Sequence, residues 1–119
     1  MPRVVFFEIP AKDPAKVADF YKNVFGWEIN KWEGPFDYWL ITTGEDEEPG
    51  INGGIMTTDM GQMVRNTIGV DSIDDYMKKI ENAGGKMLTE KMEIKGIGIM
   101  AAFVDTEGNI SVIMEPAPM

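Results

Sequence analysis

The chain of 119 residues contains no histidine and no cysteine. Those two absences exclude Ser-His-Asp and Cys-His nucleophilic catalysis, disulfides, and the zinc sites that depend on imidazole or thiolate ligands. Acid or base chemistry falls to Asp, Glu, Lys or Tyr, and any metal would have to be held by oxygen, which favours hard cations. Basic residues are also scarce: 11 Lys and Arg stand against 20 Asp and Glu, a formal charge of −9. A phosphate backbone would be repelled, so nucleic acid is not expected as a partner. No apolar run approaches the roughly 20 residues of a membrane span, and the opening MPRVVFFEIPAKD does not read as a secretory signal. A cytoplasmic protein without a membrane partner is the expectation.

What is present fits one folded domain. Hydrophobic residues make up 44% and charged residues 26%, near the average of globular proteins and far from the composition of disordered chains. Asp13-Pro14 reads as a helix cap followed by a residue already set for the first turn. Val17, Phe20, Tyr21 and Val24 form an apolar stripe that ends at Gly26, giving a helix over about 14–25. Ser72 with Asp75 marks a second start, and Ile73, Tyr76, Met77 and Ile80 repeat the stripe before Gly84-Gly85. The two stripes superpose at a constant shift of 56 residues, the sign of an internal duplication.

Strand-forming runs surround each helix in the same order. Residues 3–9 precede the first helix, and 27–32, 38–43 and 51–57 follow it. Residues 67–70 precede the second, and 86–90, 97–104 and 110–115 follow. The expected fold class is α+β: two tandem βαβββ units, about 1–60 and 61–119 of a single domain, forming curved mixed sheets with a concave face left for a ligand.

The segments FEIPAKDPAKVADFYKNVFGWEI (7–29), GINGGI (50–55), VDSIDDYMKKIENAGGKML (70–88) and FVDTEGNISVIMEP (103–116) together resemble the vicinal oxygen chelate superfamily, which includes glyoxalase I, bleomycin resistance proteins and extradiol dioxygenases. The likeness extends over nearly the whole chain, and FYKNVFGW and the DTEGN turn carry it most specifically. It implies the duplicated fold, a homodimer and, in the enzymes, a divalent metal held by His and Glu from the first and last strands of each unit. The positions that correspond are Phe6, Val112, a residue near Gly54, and Arg65 or Thr67. None is a normal metal ligand, so the resemblance speaks against the usual metal centre here.

The candidate site is therefore a largely apolar cleft with one acid: Phe6, Glu8, Trp39, Asn52, Met56, Val112 and Met114. Glu8 shares a strand face with Phe6 by the two-residue period and is the best candidate for a catalytic group, although a structural, paired carboxylate is the plainer reading. Trp27, Trp32, Phe36, Tyr38 and Trp39 offer walls for a flat or cationic molecule, or core packing. Tyr38 and Trp39 face opposite ways. Asn52-Gly53-Gly54 reads equally as a place of close ligand approach or as a bulge. The acidic run 45–48 reads as a solvated loop, and the ten methionines as an adaptable apolar lining or as gap filling.

The expected function is binding of a small organic molecule by a glyoxalase-like protein that lacks the metal, with no cofactor, and whether it is an enzyme is left open. One alternative is a metal-dependent lyase, isomerase or dioxygenase using a displaced oxygen-ligand site with Glu8 and Glu115. The other is a non-catalytic interaction domain.

Overall fold

In a computed structural model, which describes residues 2–58 and 61–118, both capping signals are realised. Asp13 accepts a hydrogen bond from the Lys16 backbone N–H, Pro14 opens helix α1 (Pro14–Phe25), and Gly26 closes it in the left-handed region at φ 73°. Ser72 accepts from the Asp75 N–H at the start of α2 (Ile73–Asn82). Each cap satisfies an N–H that the first helical turn cannot pair.

The chain divides into two compact units: Phe6–Val64, and Arg65–Met119 with Met1–Val5. In the first, β1 (Arg3–Pro10), β2 (Glu28–Lys31), β3 (Tyr38–Thr42) and β4 (Asn52–Met56) accompany α1. β4 runs parallel to β1, with Glu8 opposite Gly54, and antiparallel to β3, with Leu40 opposite the same Gly54. β2 closes the edge against β3. Both ladders through β4 are continuous, so the Asn52-Gly53-Gly54 stretch holds no bulge. One sheet face packs on α1: Ala11, Ala18, Ile29, Ile41 and Ile55 form the buried core, with Phe7, Ile9, Val17, Tyr21, Trp27 and Trp39 against it. Alternation fixes this, because the β-branched Ile41 and Ile55 carry their strand faces to the helix.

The second unit holds β5 (Arg65–Gly69), α2, β6 (Lys86–Met87), β7 (Met92–Ile94), β8 (Gly98–Val104) and β9 (Ile110–Pro116). β5 is parallel to β9, and β8 is antiparallel to it. The single strand expected over 86–90 is instead two short pieces that both pair with β8. Between them the pairing slips by two residues, and Thr89 Oγ1 accepts from the Ala102 N–H at 3.0 Å. Such an interrupted edge discourages pairing with another chain.

The helices repeat each other at a different register from the one the stripes suggest. Residues 17, 18 and 21 of α1 contact the core, as do 76, 77 and 80 of α2. These sets superpose at a shift of 59, as do the caps Asp13 and Ser72. At that register Phe20 and Val24, exposed by 56% each, correspond to Lys79 and Ala83. The shift of 56 came from counting those two solvent-facing side chains as core.

Candidate functional site

The sheet face of the first unit that turns away from α1 carries the chemistry. By register, Phe6, Glu8 and Pro10 of β1, Asn52, Gly54 and Met56 of β4, and Tyr38, Leu40 and Thr42 of β3 lie on it. Glu28 and Asn30 of β2 join them through Thr42 and Leu40. Two carboxylates thus share the face, and none of these strand positions is Lys or Arg.

Tyr38 reaches diagonally across β4 and donates its phenolic hydrogen to Glu8 Oε2 at 2.6 Å. Gly54 permits this. It lies between Leu40 and Glu8 in the ladder, and a β-carbon there would overlap the Tyr38 phenol. Gly53 does the same on the opposite face, where a β-carbon would meet the Phe7 ring and carbonyl. The two glycines therefore each make room for a ring, one on either side of the sheet.

Burial, then the Glu8 charge, then the hydrogen bond itself push the Tyr38 phenol far above its ordinary value, so it is held neutral as a donor. Among the described residues, the Glu8 carboxylate takes its hydrogen bond through Oε2, leaving Oε1 without a protein donor.

Two further rings complete the surroundings. The Trp32 N–H donates to the Tyr38 carbonyl at 2.7 Å, which extends the β2–β3 ladder and sets Trp32 on Tyr38's face. Trp32 lies 6.1 Å from Tyr38 at 79°, Phe36 lies 6.3 Å from Tyr38 at 86°, and Trp32 and Phe36 are 5.0 Å apart at 59°. Three mutually inclined rings form a corner. Phe36 and Leu40 beside it are 50% and 43% exposed, so this apolar surface is accessible.

The residues expected at the site divide as follows. Phe6, Glu8, Asn52 and Met56 share the face just described. Trp39 does not: it packs with Ile41 and Ile55 on the α1 side, where Lys31 Nζ sits 5.3 Å from its ring centroid. The residue of β3 that accompanies Glu8 is Tyr38, because Ile41, not the equally apolar Leu40, faces the helix and fixes the parity of the strand. Trp27 is also on the helix side, stacked on Tyr21 at 5.1 Å and 4°. The Asn52 side chain is engaged locally, its Oδ1 accepting from the Thr43 N–H at 2.9 Å.

Val112 and Met114 belong to β9 of the second unit, opposite Thr67 and Gly69. They lie on the face away from α2, since Ala101 and Ile113 form the α2 core. Glu115 is on the α2 side, and its Oε1 accepts from the Ile73 N–H at 3.0 Å. It caps the helix from the α2 side of β9, the side opposite Val112 and Met114. In the acidic run, Glu48 Oε1 accepts from the Glu45 N–H and the residues are exposed.

The donor set does not fit the divalent centre that the resemblance implies. No histidine or cysteine exists in the chain, and among the described residues no three Asp or Glu converge so as to hold an ion. Among those residues, too, no helix is long and apolar enough to cross a membrane.

With this geometry in place, the likenesses to known proteins can be set beside it. Residues 3–44 match the family model described as bleomycin resistance protein-like N-terminal. The chain is 25% identical over 120 residues to the anthracycline biosynthesis protein DnrV of Streptomyces peucetius, covering 87% of this chain and 43% of that protein. It thus spans less than half the length of that relative. Among solved structures, a methylmalonyl-CoA epimerase variant of Streptomyces coelicolor in complex with 2-nitronate-propionyl-CoA superposes with a TM-score of 0.77 at 15% identity, covering 100% of this chain and 97% of that one. A methylmalonyl-CoA epimerase of Mycobacterium tuberculosis gives 0.74 at 13%, with 97% and 88% covered. A hypothetical protein of Bacillus halodurans gives 0.76 at 13%, with 98% and 96% covered. The family model and the curated relative point to the glyoxalase/bleomycin resistance superfamily, and the solved structures share the fold.

Proposed function

We propose that this protein binds a small organic molecule on the sheet face carrying Glu8 and Tyr38, and that it does so without the divalent metal of its superfamily's enzymes. The observation that carries the reading is the Tyr38–Glu8 hydrogen bond laid across Gly54. The resemblance places the metal ligand of the first unit's last strand near Gly54, and the space over Gly54 is filled by the Tyr38 phenol. A neutral donor, a carboxylate with one unengaged oxygen and an accessible apolar surround suit recognition of a polar group on a largely apolar molecule. Among the described residues no three acidic groups converge to hold a divalent cation there.

Thermal unfolding of EDTA-treated protein tests the reading, because a species that binds only the native state raises the apparent stability. Added Mn, Ni, Fe or Zn is expected to leave the midpoint unchanged, and small organic compounds to include some that raise it. Stoichiometric metal retained through purification, with a metal-induced rise lost in Glu8→Gln, would overturn it.

A further inference from the structure

We infer that the ligand group recognised on this face is an organic ammonium, quaternary or fully alkylated, seated in the Trp32–Phe36–Tyr38 corner and neutralised by Glu8. The inference rests on the binding function proposed above and specifies its chemistry. Three observations converge on it.

The first is charge. The strand positions of the face include Glu8 and Glu28 and no cation. Lys31, the nearest basic residue in β2, is directed to the opposite face, over Trp39, and its other contact is Asp37 at 3.5 Å. An anionic ligand would meet repulsion here and a neutral one no compensation for Glu8. A cation meets both the carboxylate and the chain's net charge of −9.

The second is the disposition of rings. Inclinations of 79°, 86° and 59° between three rings 5.0–6.3 Å apart gather three π-systems at one corner, with Tyr38 in edge contact with both others, so that a cation at the exposed side of the corner meets more than one ring. A stacked trio would expose a single face. A bulky, weakly hydrated cation gains most in such a corner, since little solvation is lost on leaving water.

The third is the link between the two. Tyr38 is at once a wall of the corner and the donor to Glu8 Oε2. Donation to a carboxylate shifts electron density into the phenol ring, which strengthens its attraction for a cation, and the hydrogen bond keeps the Glu8 charge next to that ring. Trp32 is held in its own place by a glycine: its indole lies over Gly34, where a β-carbon would overlap it.

Choline and 3,3-dimethylbutan-1-ol have the same shape and differ in one formal charge, which makes them suitable probes. Titration of the 15N-labelled protein with each is followed by the indole N–H resonances. Choline is expected to move the Trp32 resonance, to leave Trp27 and Trp39 in place, and to bind at least tenfold more tightly than the neutral alcohol. Glu8→Gln, which keeps an acceptor for Tyr38, is expected to weaken choline by tenfold or more. Trp32→Ala, followed instead by the backbone amide resonances of Tyr38 and Leu40 in the same spectra, is expected to abolish the choline response. Unchanged Trp27 and Trp39 resonances in both variants establish that they remain folded.

Equal binding of the two probes, no response to choline at the Trp32 indole, or unweakened choline binding by folded Glu8→Gln would each overturn the inference. In any of those cases, neutral compounds that still stabilise the metal-free protein would leave the broader binding function standing. A metal requirement for stabilisation would remove that function separately.

Discussion

Residue 54 decides what residues 8 and 38 can do. With any side chain at Gly54 the phenol of Tyr38 could not cross β4, and Glu8 would face solvent without a donor. The pairing also leaves a signature in the pH dependence of stability. Tyr38 ionises near 10.0 when unfolded, and its value in the folded chain is raised by burial, the Glu8 charge and the hydrogen bond. A group whose proton is held more tightly in the native state contributes its full stability below the unfolded value and loses it as pH rises, because only the unfolded chain gives up the proton. Urea unfolding of the native protein should therefore show a fall from pH 10 to 11 of about 1.0 kcal/mol from this group. Tyr38→Phe should cost about 1.5 kcal/mol at pH 8, where the hydrogen bond to a charged acceptor is intact, and should lack that part of the alkaline fall. A variant with the same fall as the native protein would show that the phenol is not held neutral by the fold.

The elements were readable in the sequence where backbone chemistry dictates them and obscured where tertiary packing decides. Both helix starts follow from side chains that satisfy otherwise orphaned N–H groups, and Asp13 and Ser72 do this as expected. The internal repeat was legible as well, yet its register was misread, since Phe20 and Val24 are apolar and nevertheless exposed. Hydrophobicity alone does not say which side of a helix is covered. The two-residue slip that splits β6 from β7 depends on the Thr89 side chain meeting the Ala102 N–H, a contact between residues 13 apart that no local pattern announces. At the site, Glu8 and its face were legible from the two-residue period, whereas the choice of Trp39 over Tyr38 required knowing which face α1 covers. The start of α2 offers a test at this scale, because it has two caps of different origin: Ser72 Oγ on the Asp75 N–H, and Glu115 Oε1, from β9, on the Ile73 N–H. Ser72→Ala should lower the unfolding free energy by about 1 kcal/mol. Glu115→Ala should lower it by a similar amount, about 1 kcal/mol, by leaving an N–H at the positive end of the helix unpaired. Urea titrations of both variants read this directly, and an unaffected Glu115→Ala would show that water replaces the carboxylate without loss.

For the molecule as a whole, composition governs how a ligand arrives more than how it is held. A net charge of −9 with no histidine gives a field of one sign that no side chain of ordinary pKa alters between about pH 6 and 9, apart from the α-amino group. That field is long-ranged only in dilute salt, where its reach exceeds the dimensions of the site, and shrinks to about 8 Å at physiological ionic strength and about 3 Å at 1 M. The cation–π contribution at Trp32, Phe36 and Tyr38 acts at contact distance and is largely indifferent to salt. Affinity for choline should therefore fall several-fold as NaCl is raised from about 20 mM to about 200 mM, and then level off at a residual set by the ring corner and the adjacent Glu8. Between pH 6 and 9 at fixed salt it should stay constant. The neutral alcohol should respond to neither variable. A choline affinity that continued to fall toward zero in high salt would mean that the negative field alone collects the cation and that the three rings contribute nothing. A salt-independent affinity would mean the opposite, that Glu8 and the surrounding charge are spectators to binding driven by the rings.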